Sequence, residues 1–222
     1  MRLIVTGLVI IAIAGLILAA LRLTRTTVVP AGEVKKPETL ETKLGVLAKC
    51  GLRLAQPFRI DDLLASWDRT DYEKEGYNLV LVGLGMTEEK EPWRNHCLNL
   101  WHFDTECIED HGDYKRIADR FVEMAEGSLP LENIRDYVDV ERKKAWLSFT
   151  FRGNETKIDC KVEDDWVDER VFETFVDVLK QADPSKIFIY YNLGGQDCII
   201  GCVTREQYRC LKTHDIGFEA LK

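Results

Sequence analysis

Two stretches of the chain concentrate side chains that could bind a metal ion or a partner protein. Residues 101–114, "WHFDTECIEDHGDY", hold five carboxylates, two histidines and a cysteine. Residues 163–169, "EDDWVDE", hold five carboxylates around a tryptophan. Each stretch leads into a helical pattern, and acids also suit a helix N-terminus, where free N–H groups and the helix dipole favour negative charge. The residue types therefore leave three uses open: metal ligand, partner contact and helix cap.

A metal site is one hypothesis for the first stretch. If the strand predicted at 95–103 continues, His102, Asp104 and Glu106 point to one face, because successive side chains alternate. Imidazole suits zinc or iron, and carboxylates suit magnesium or manganese. A metal-dependent hydrolase that uses these three side chains is the enzymatic alternative for this chain.

Helix capping and partner binding are the favoured uses of the acids. Asp110 and Asp113 precede one helical pattern, and Asp165 with Asp168 has the spacing of a cap before another. An exposed Trp166 surrounded by carboxylates also suits a basic partner, since aromatic residues dominate interface energies and charge steers the encounter. The predicted partner-binding residues are Asp104, Glu106, Glu109, Asp110, Asp164, Asp165, Trp166 and Asp168.

The charge of the folded region narrows the class of partner. The chain has 30 Lys/Arg and 38 Asp/Glu, of which residues 1–43 hold six and three, so residues 44–222 carry a net charge of −11. DNA and RNA binding requires clustered cations. We therefore expect a protein partner with a basic surface and no nucleic acid. The motifs GxGxxG, P-loop, GxSxG and HExxH are absent, so no cofactor is predicted.

The N-terminal segment predicts a membrane anchor. Residues 3–21, "LIVTGLVIIAIAGLILAAL", contain no charge, and a helix of this length crosses a bilayer core of about 30 Å. A cleaved signal peptide is the rival interpretation, but cleavage after Ala19 or Ala20 would put a large residue where a small one is needed. We predict an uncleaved single-pass anchor at 1–23 in the inner (cell) membrane, in contact with the lipid bilayer through 3–21.

The side of the membrane on which the domain lies is predicted from a small difference in positive charge between the two ends of the span. Arg2 precedes the span, whereas Arg22, Arg25, Lys35 and Lys36 follow it. Since Lys and Arg favour the cytoplasmic side, a cytoplasmic domain is favoured by a small margin, and a periplasmic domain stays open.

The rest of the chain predicts an α+β domain. Gly153-Asn154 and Gly194-Gly195-Gln196 have the composition of hairpin turns, and Thr204 with Gln207 forms a capping box. Because strands come mostly as hairpins, we expect an antiparallel sheet with helices packed on one face. The predicted segments are a linker at 24–43, strands at 77–85 and 95–103, helices at 60–67, 113–126 and 167–181, and one globular domain at 44–222, with two lobes near 44–130 and 131–222 as the alternative.

The seven cysteines form no CxxC pair, and most lie in apolar runs. The favoured interpretation is a set of small buried hydrophobic residues in a reducing compartment. One or more disulfides that face an oxidising compartment are the alternative. Cys198 lies inside an apolar strand pattern, so we expect it to pack in the core and not to act as a nucleophile.

A resemblance suggests the kind of partner. The segments "FDTECIEDHGDY", "LENIRDYVD", "AWLSFTFRGNETKIDCKVEDDWVD" and "NLGGQDCIIGC" resemble small uncharacterised bacterial proteins, some of which are encoded beside secreted toxins as candidate immunity proteins. The resemblance covers residues 97–203 and implies a protein that blocks a toxin by binding it. The predicted function is therefore a membrane-anchored binding protein whose acidic surface occludes a partner, with the hydrolase and an envelope scaffold as alternatives.

Overall fold

The computed structural model describes residues 37–74, 76–88 and 91–222. The predicted membrane span at 3–21 and the predicted linker up to residue 36 lie outside these residues. Within the described ranges, no helix has both the length and the apolar character needed to cross a bilayer. The compact unit described below runs from Pro37 to Lys222.

Four helices come first in this unit, and every strand after the first lies in its second half. The helices are α1 (Leu40–Lys49), α2 (Ile60–Leu64), α3 (Arg69–Glu73), α4 (Asn78–Gly85), α5 (Asp113–Met124), α6 (Arg170–Ala182) and α7 (Arg205–Thr213). The strands are β1 (Leu100–Asp104), β2 (Glu132–Asp139), β3 (Lys144–Phe151), β4 (Asn154–Cys160), β5 (Lys186–Asn192), β6 (Asp197–Thr204) and β7 (Glu219–Ala220).

The strands form two antiparallel sheets, which confirms the α+β class. One sheet has the order β1-β6-β5-β7 and the other the order β2-β3-β4. Helices α5 and α6 lie between the two sheets and share one hydrophobic cluster with both. Helices α1 to α4 and α7 pack on the opposite face of the four-stranded sheet in a second cluster. The unit from Pro37 to Lys222 thus has four layers, in the order helices, sheet, helices, sheet.

The expectation of one sheet with helices on one face is wrong for the four-stranded sheet, which helices cover on both faces. Strand β6 is buried on both faces: Cys198 and Ile200 face the cluster of α5 and α6, while Ile199 and Val203 face the other cluster. Side chains alternate along a strand, so an apolar run without polar positions needs cover on both sides. The run "CIIGCV" that follows Asp197 is of this kind, and helices supply its cover on each face.

The boundaries of the domain also differ from those expected. Helix α1 begins at Leu40, capped by the Thr39 side chain, so the last residues of the predicted 24–43 linker belong to the folded unit. Lys43 is 2% exposed, and its ammonium donates to the carbonyls of Tyr72 and Gly76 at 2.9 and 2.7 Å. The two-lobe alternative is not what the structure shows, because β1 from the first block pairs with β6 from the second.

The segment predicted as a strand at 77–85 is a helix, α4. Its run "NLVLVGLG" is apolar on every side, so hydrophobic periodicity does not distinguish helix from strand. Its glycines have a packing role: a Cβ added at Gly85 would lie 2.5 Å from the backbone nitrogen of His102. The absence of a side chain therefore lets the end of α4 approach β1 closely.

Most of the other predicted elements are confirmed. Gly153 and Gly194 take positive φ angles of 78° and 90° in the turns of the two hairpins, which are β3-β4 and β5-β6. The capping box at α7 forms as predicted, with the Thr204 hydroxyl accepting from the Gln207 amide at 3.1 Å and the Gln207 side chain accepting from the Thr204 amide at 2.8 Å. Of the strand predicted at 95–103, only the part from Leu100 is a strand.

A buried arginine fixes α5 against the start of β1. Arg120 is 7% exposed, and its guanidinium donates to the carbonyls of Cys97 and Leu100 at 3.1 and 2.7 Å. It also donates to the carbonyl of Leu98 at 3.1 Å and to Glu123 at 2.7 Å. These bonds satisfy carbonyl groups that β6 does not reach, so one side chain ties the central helix to the edge strand.

Candidate functional site

The two acidic stretches lie side by side in the structure. The loop that follows β1 pairs with the loop that precedes α6: the amides of Cys107 and Ile108 both donate to the carbonyl of Asp165 at 2.9 Å. The amide of Val167 donates in return to the carbonyl of Thr105 at 2.9 Å. Segments 104–110 and 163–169, here called the acidic edge, therefore form one continuous surface, although more than fifty residues separate them in the chain.

Trp166 projects from the acidic edge. It is 43% exposed, and its backbone forms bridges with Glu106 and Glu163. Exposed carboxylates at Asp104, Glu163 and Asp164 lie on the same two segments. An indole that is held by backbone pairing and lies among acids is the kind of residue that anchors interfaces, because it is large, rigid and already ordered.

A groove runs from Trp166 over the four-stranded sheet. Its volume is about 450 Å³. Apolar side chains from α6 and the sheet form its floor, including Phe172, Tyr190 and Ile200. Glu169 and Glu173 lie on its rim, where the first turn of α6 begins. Lys222 also lines the groove, so it offers apolar contact beside two carboxylates and one lysine, and the excess of acid suits an apolar side chain of a basic partner.

One predicted contact residue has a structural role instead. The Asp168 side chain is only 6% exposed, and its carboxylate accepts from the guanidinium of Arg170 and from the amides of Arg170 and Lys161. Burial raises the pKa of Asp168, but these hydrogen bonds outweigh burial and hold the pKa below its ordinary value. Asp168 therefore holds the start of α6 in place, and little of its carboxylate is left for a partner to contact.

The other predicted contact residues fall into two groups. Asp104, Glu109, Asp110 and Asp164 are exposed, and Trp166 with them. Glu106 and Asp165 are half-buried, and Asp165 contributes mainly its backbone carbonyl to the pairing of the two loops. Five of the eight predicted residues are thus freely accessible to a partner.

The predicted metal ligands do not converge. Strand β1 ends at Asp104, whose carboxylate accepts from the amide of Glu106 at 2.9 Å and from the Gln196 side chain at 3.2 Å. His102 instead lies 3.9 Å from the carboxylate of Asp197. The alternation of side chains that would align His102, Asp104 and Glu106 fails because the chain turns after Asp104. In the described part of the chain, the one group of three possible ligands is Cys50, Cys210 and His214.

A carboxylate from strand β2 caps the N-terminus of helix α5. The carboxylate of Asp136, in β2, accepts from the amides of Gly112 and Lys115 at 2.8 and 3.2 Å. Asp113 accepts instead from the amides of Glu109 and Asp110, both at 2.9 Å. Asp110 and Asp113 therefore shape the loop at the start of this helix, and the expectation that they supply its N-terminal cap is wrong. Sequence spacing gives no signal for a cap that comes from β2.

A second groove was missed by the sequence reasoning. It has a volume of about 950 Å³ and lies between α5 and the loop that follows α4. Trp93, which is 61% exposed, Trp101 and His102 line it, together with Lys115 and Arg116. The groove carries both positive and negative side chains, since Asp119 and Glu123 of α5 form ion pairs with Lys115 and Arg120 of the same helix.

The cysteines divide into one disulfide and five free thiols. Cys50 and Cys210 form a disulfide across 160 residues, so the expectation of unpaired cysteines is wrong for these two. The predicted core position of Cys198 is confirmed. Burial raises the pKa of the Cys107, Cys160, Cys198 and Cys202 thiols to about 12. At neutral pH these thiols are protonated, which suits packing and not nucleophilic attack.

No protein-family model, no curated protein and no solved structure matches this chain.

Proposed function

We propose that the protein is a single-pass membrane-anchored binding protein that holds a basic partner protein on its acidic edge. The observation that carries this proposal is the backbone pairing of the two acidic segments around the exposed Trp166. The pairing concentrates carboxylates and an aromatic anchor on one surface. The groove of about 450 Å³ beside Trp166 gives that surface a concave apolar floor.

The energetics of such a contact divide between the two residue types. Carboxylates at Asp104, Glu163 and Asp164 attract a basic surface and raise the association rate, but exposed charge pairs add little affinity in salt. Burial of the Trp166 indole supplies the larger share, since truncation of a central aromatic residue typically costs about 2 kcal/mol or more. The acidic edge therefore selects the partner by charge and retains it by apolar contact.

The disulfide supports a domain on the periplasmic side of the inner membrane. Disulfides persist in oxidising compartments and are rare in the cytosol. Cys50 and Cys210 bond α1 to α7, so an oxidised chain is the state expected after export. This argument outweighs the narrow balance of flanking charges that favours a cytoplasmic domain. The span at 3–21 remains our proposed tether.

The resemblance at residues 97–203 suggests the identity of the partner class. It covers both segments of the acidic edge, and proteins of that type include candidate immunity proteins. We therefore take the partner to be a secreted toxin with a basic surface, which the acidic edge would occlude at the membrane. The hydrolase alternative has no support in the geometry, because His102, Asp104 and Glu106 do not converge.

Capture from native membranes tests the proposal. Full-length wild type and a Trp166→Ala variant are purified from membranes at low and high salt, and the co-purifying proteins are identified. We expect a basic protein with the wild type, less of it at high salt, and at least about tenfold less with the variant, as for a hot-spot residue.

A second exposed tryptophan provides the matched control. Trp93→Ala removes an indole that is more exposed and lies in the other groove, so the partner should still be recovered with it. Equal recovery with Trp166→Ala and wild type, or recovery of no basic protein under any salt condition, would refute the acidic edge as the binding surface.

A further inference from the structure

Two sulfur atoms and an imidazole form a cluster that the proposed binding function does not use. The ligand atoms of Cys50, Cys210 and His214 all lie within 4.8 Å of one another. Cys50 and Cys210 are joined as a disulfide, and His214 is the C-cap residue of α7. The cluster shares no residue with the acidic edge.

The local structure brings these side chains to one point for simple reasons. Cys210 and His214 are four residues apart at the end of α7, and residues with this spacing lie on the same side of a helix. Cys50 is the C-cap residue of α1, and α1 packs beside α7. The cluster therefore lies at the C-terminal ends of two helices, where unpaired carbonyl groups give a partial negative charge that favours a cation.

The donor set matches one class of metal ion. Thiolate and neutral imidazole are the ligands of zinc, and three protein ligands leave a fourth position for water. Tetrahedral bonds of about 2.0–2.3 Å separate ligand atoms by roughly 3–4 Å. The imidazole already lies within 4.8 Å of both sulfur atoms, and reduction of the bond between the sulfur atoms lets them move apart to that spacing by side-chain rotation.

We propose that Cys50, Cys210 and His214 form a zinc site that becomes available when their disulfide is reduced. In the oxidised chain, the sulfur–sulfur bond links α1 to α7. In the reduced chain, the metal ion links the same two helices through its ligands. The pair of helices then stays connected in both redox states.

The reduction step requires a dithiol reductant. Cys210 is half-buried whereas Cys50 is fully buried, so the reductant thiolate attacks Sγ of Cys210. The sulfur–sulfur bond breaks, and its electron pair leaves on Sγ of Cys50, which takes up a proton. The second thiol of the reductant then displaces Cys210, which also takes up a proton, and the reductant departs as a disulfide.

Metal binding follows from the two free thiols. Zinc displaces one proton from each thiol, so two protons are released for each ion bound. The imidazole of His214 binds as the neutral base through one nitrogen lone pair. His214 is exposed, so the ion reaches the site from solvent without unfolding the domain.

Cobalt provides the probe, since it occupies zinc sites and its bonds to thiolate absorb light. The full chain in detergent is reduced, freed of reductant without air, and titrated with Co²⁺ alone, beside an oxidised sample. We expect thiolate–cobalt absorption that saturates at one cobalt per chain in the reduced sample, disappears on addition of Zn²⁺, and is absent from the oxidised sample. Circular dichroism verifies that both samples are folded.

A histidine variant separates this site from adventitious binding to thiols. His214→Ala should weaken cobalt binding by more than about tenfold, since even residues that only support a metal ligand contribute that much. His111→Ala, at an equally exposed position, should bind cobalt as the wild type does. Three results would each overturn the proposal: no absorption from reduced and folded wild type, equal binding by His214→Ala, or equal binding by the oxidised chain.

Discussion

The disulfide gives the strongest quantitative prediction, because its contribution follows from chain length. We consider the double variant Cys50→Ala/Cys210→Ala, which removes the bond without leaving an unpaired thiol. The two cysteines are 160 residues apart. In the chain-entropy relation, closing a loop of this length lowers the free energy of the folded state relative to the unfolded state by about 5 kcal/mol at 25 °C.

The measured loss in free energy of unfolding should be somewhat smaller than this value. The unfolded chain retains some structure, and the relation overstates the effect when it does. We therefore expect the free energy of unfolding to fall by about 3–5 kcal/mol, which is a large share of the about 5–15 kcal/mol typical of a domain.

Urea unfolding of the full chain in detergent, followed by tryptophan fluorescence, measures the change. Wild type and double variant are compared with and without reductant, with a chelator present throughout so that no metal replaces the bond. We expect reductant to lower the midpoint of the wild type to that of the variant and to leave the variant unchanged. If the wild type from membranes is unaffected by reductant, and both cysteines react with an alkylating agent without prior reduction, the reasoning fails, and the periplasmic assignment fails with it.

Two further predictions concern buried charged groups. Arg120→Met should lower the free energy of unfolding by about 3–5 kcal/mol, because carbonyl groups before and in β1 lose their donor. Urea unfolding measures the change. As a control, Arg116→Met at an exposed position should change the free energy of unfolding by less than about 0.5 kcal/mol. Asp168 has a folded-state pKa below its ordinary value of 3.8, so its stabilisation is complete above that value and is lost as the pH falls through the folded-state pKa. The acid side of the stability profile of Asp168→Asn should therefore be flatter than that of the wild type, which urea unfolding at a series of pH values measures.

The elements that could be predicted from the sequence are those whose signals are local. The turns at Gly153 and Gly194 and the capping box at Thr204 each depend on a few neighbouring residues, and all three form as predicted. Helix α4 could not be predicted in the same way, because an apolar run of eight residues suits a strand or a helix equally. Its end packs closely on β1 at Gly85, and this tertiary contact leaves no local signal in the sequence.

The candidate site, too, has features that could be predicted from the sequence and features that could not. The acidic character of both stretches and the importance of Trp166 are visible in the sequence, but the pairing of the two loops is not. Asp136 caps a helix from a strand that lies beyond it in the chain, and Cys50 finds its partner across most of the domain. Such contacts depend on the whole fold, so residue spacing alone predicts neither the cap nor the disulfide.

The position of the disulfide has a mechanical consequence if the domain is tethered through residues 3–21, as proposed. A force applied through Pro37 pulls first on α1 and can peel that helix from its neighbours. The covalent bond at Cys50 stops this peeling at Lys49 and passes the load to α7, whose neighbours β5 and β6 are strands of the central sheet. Tension on the proposed tether would therefore reach the four-stranded sheet through a covalent bond and α7, and not through α1 alone.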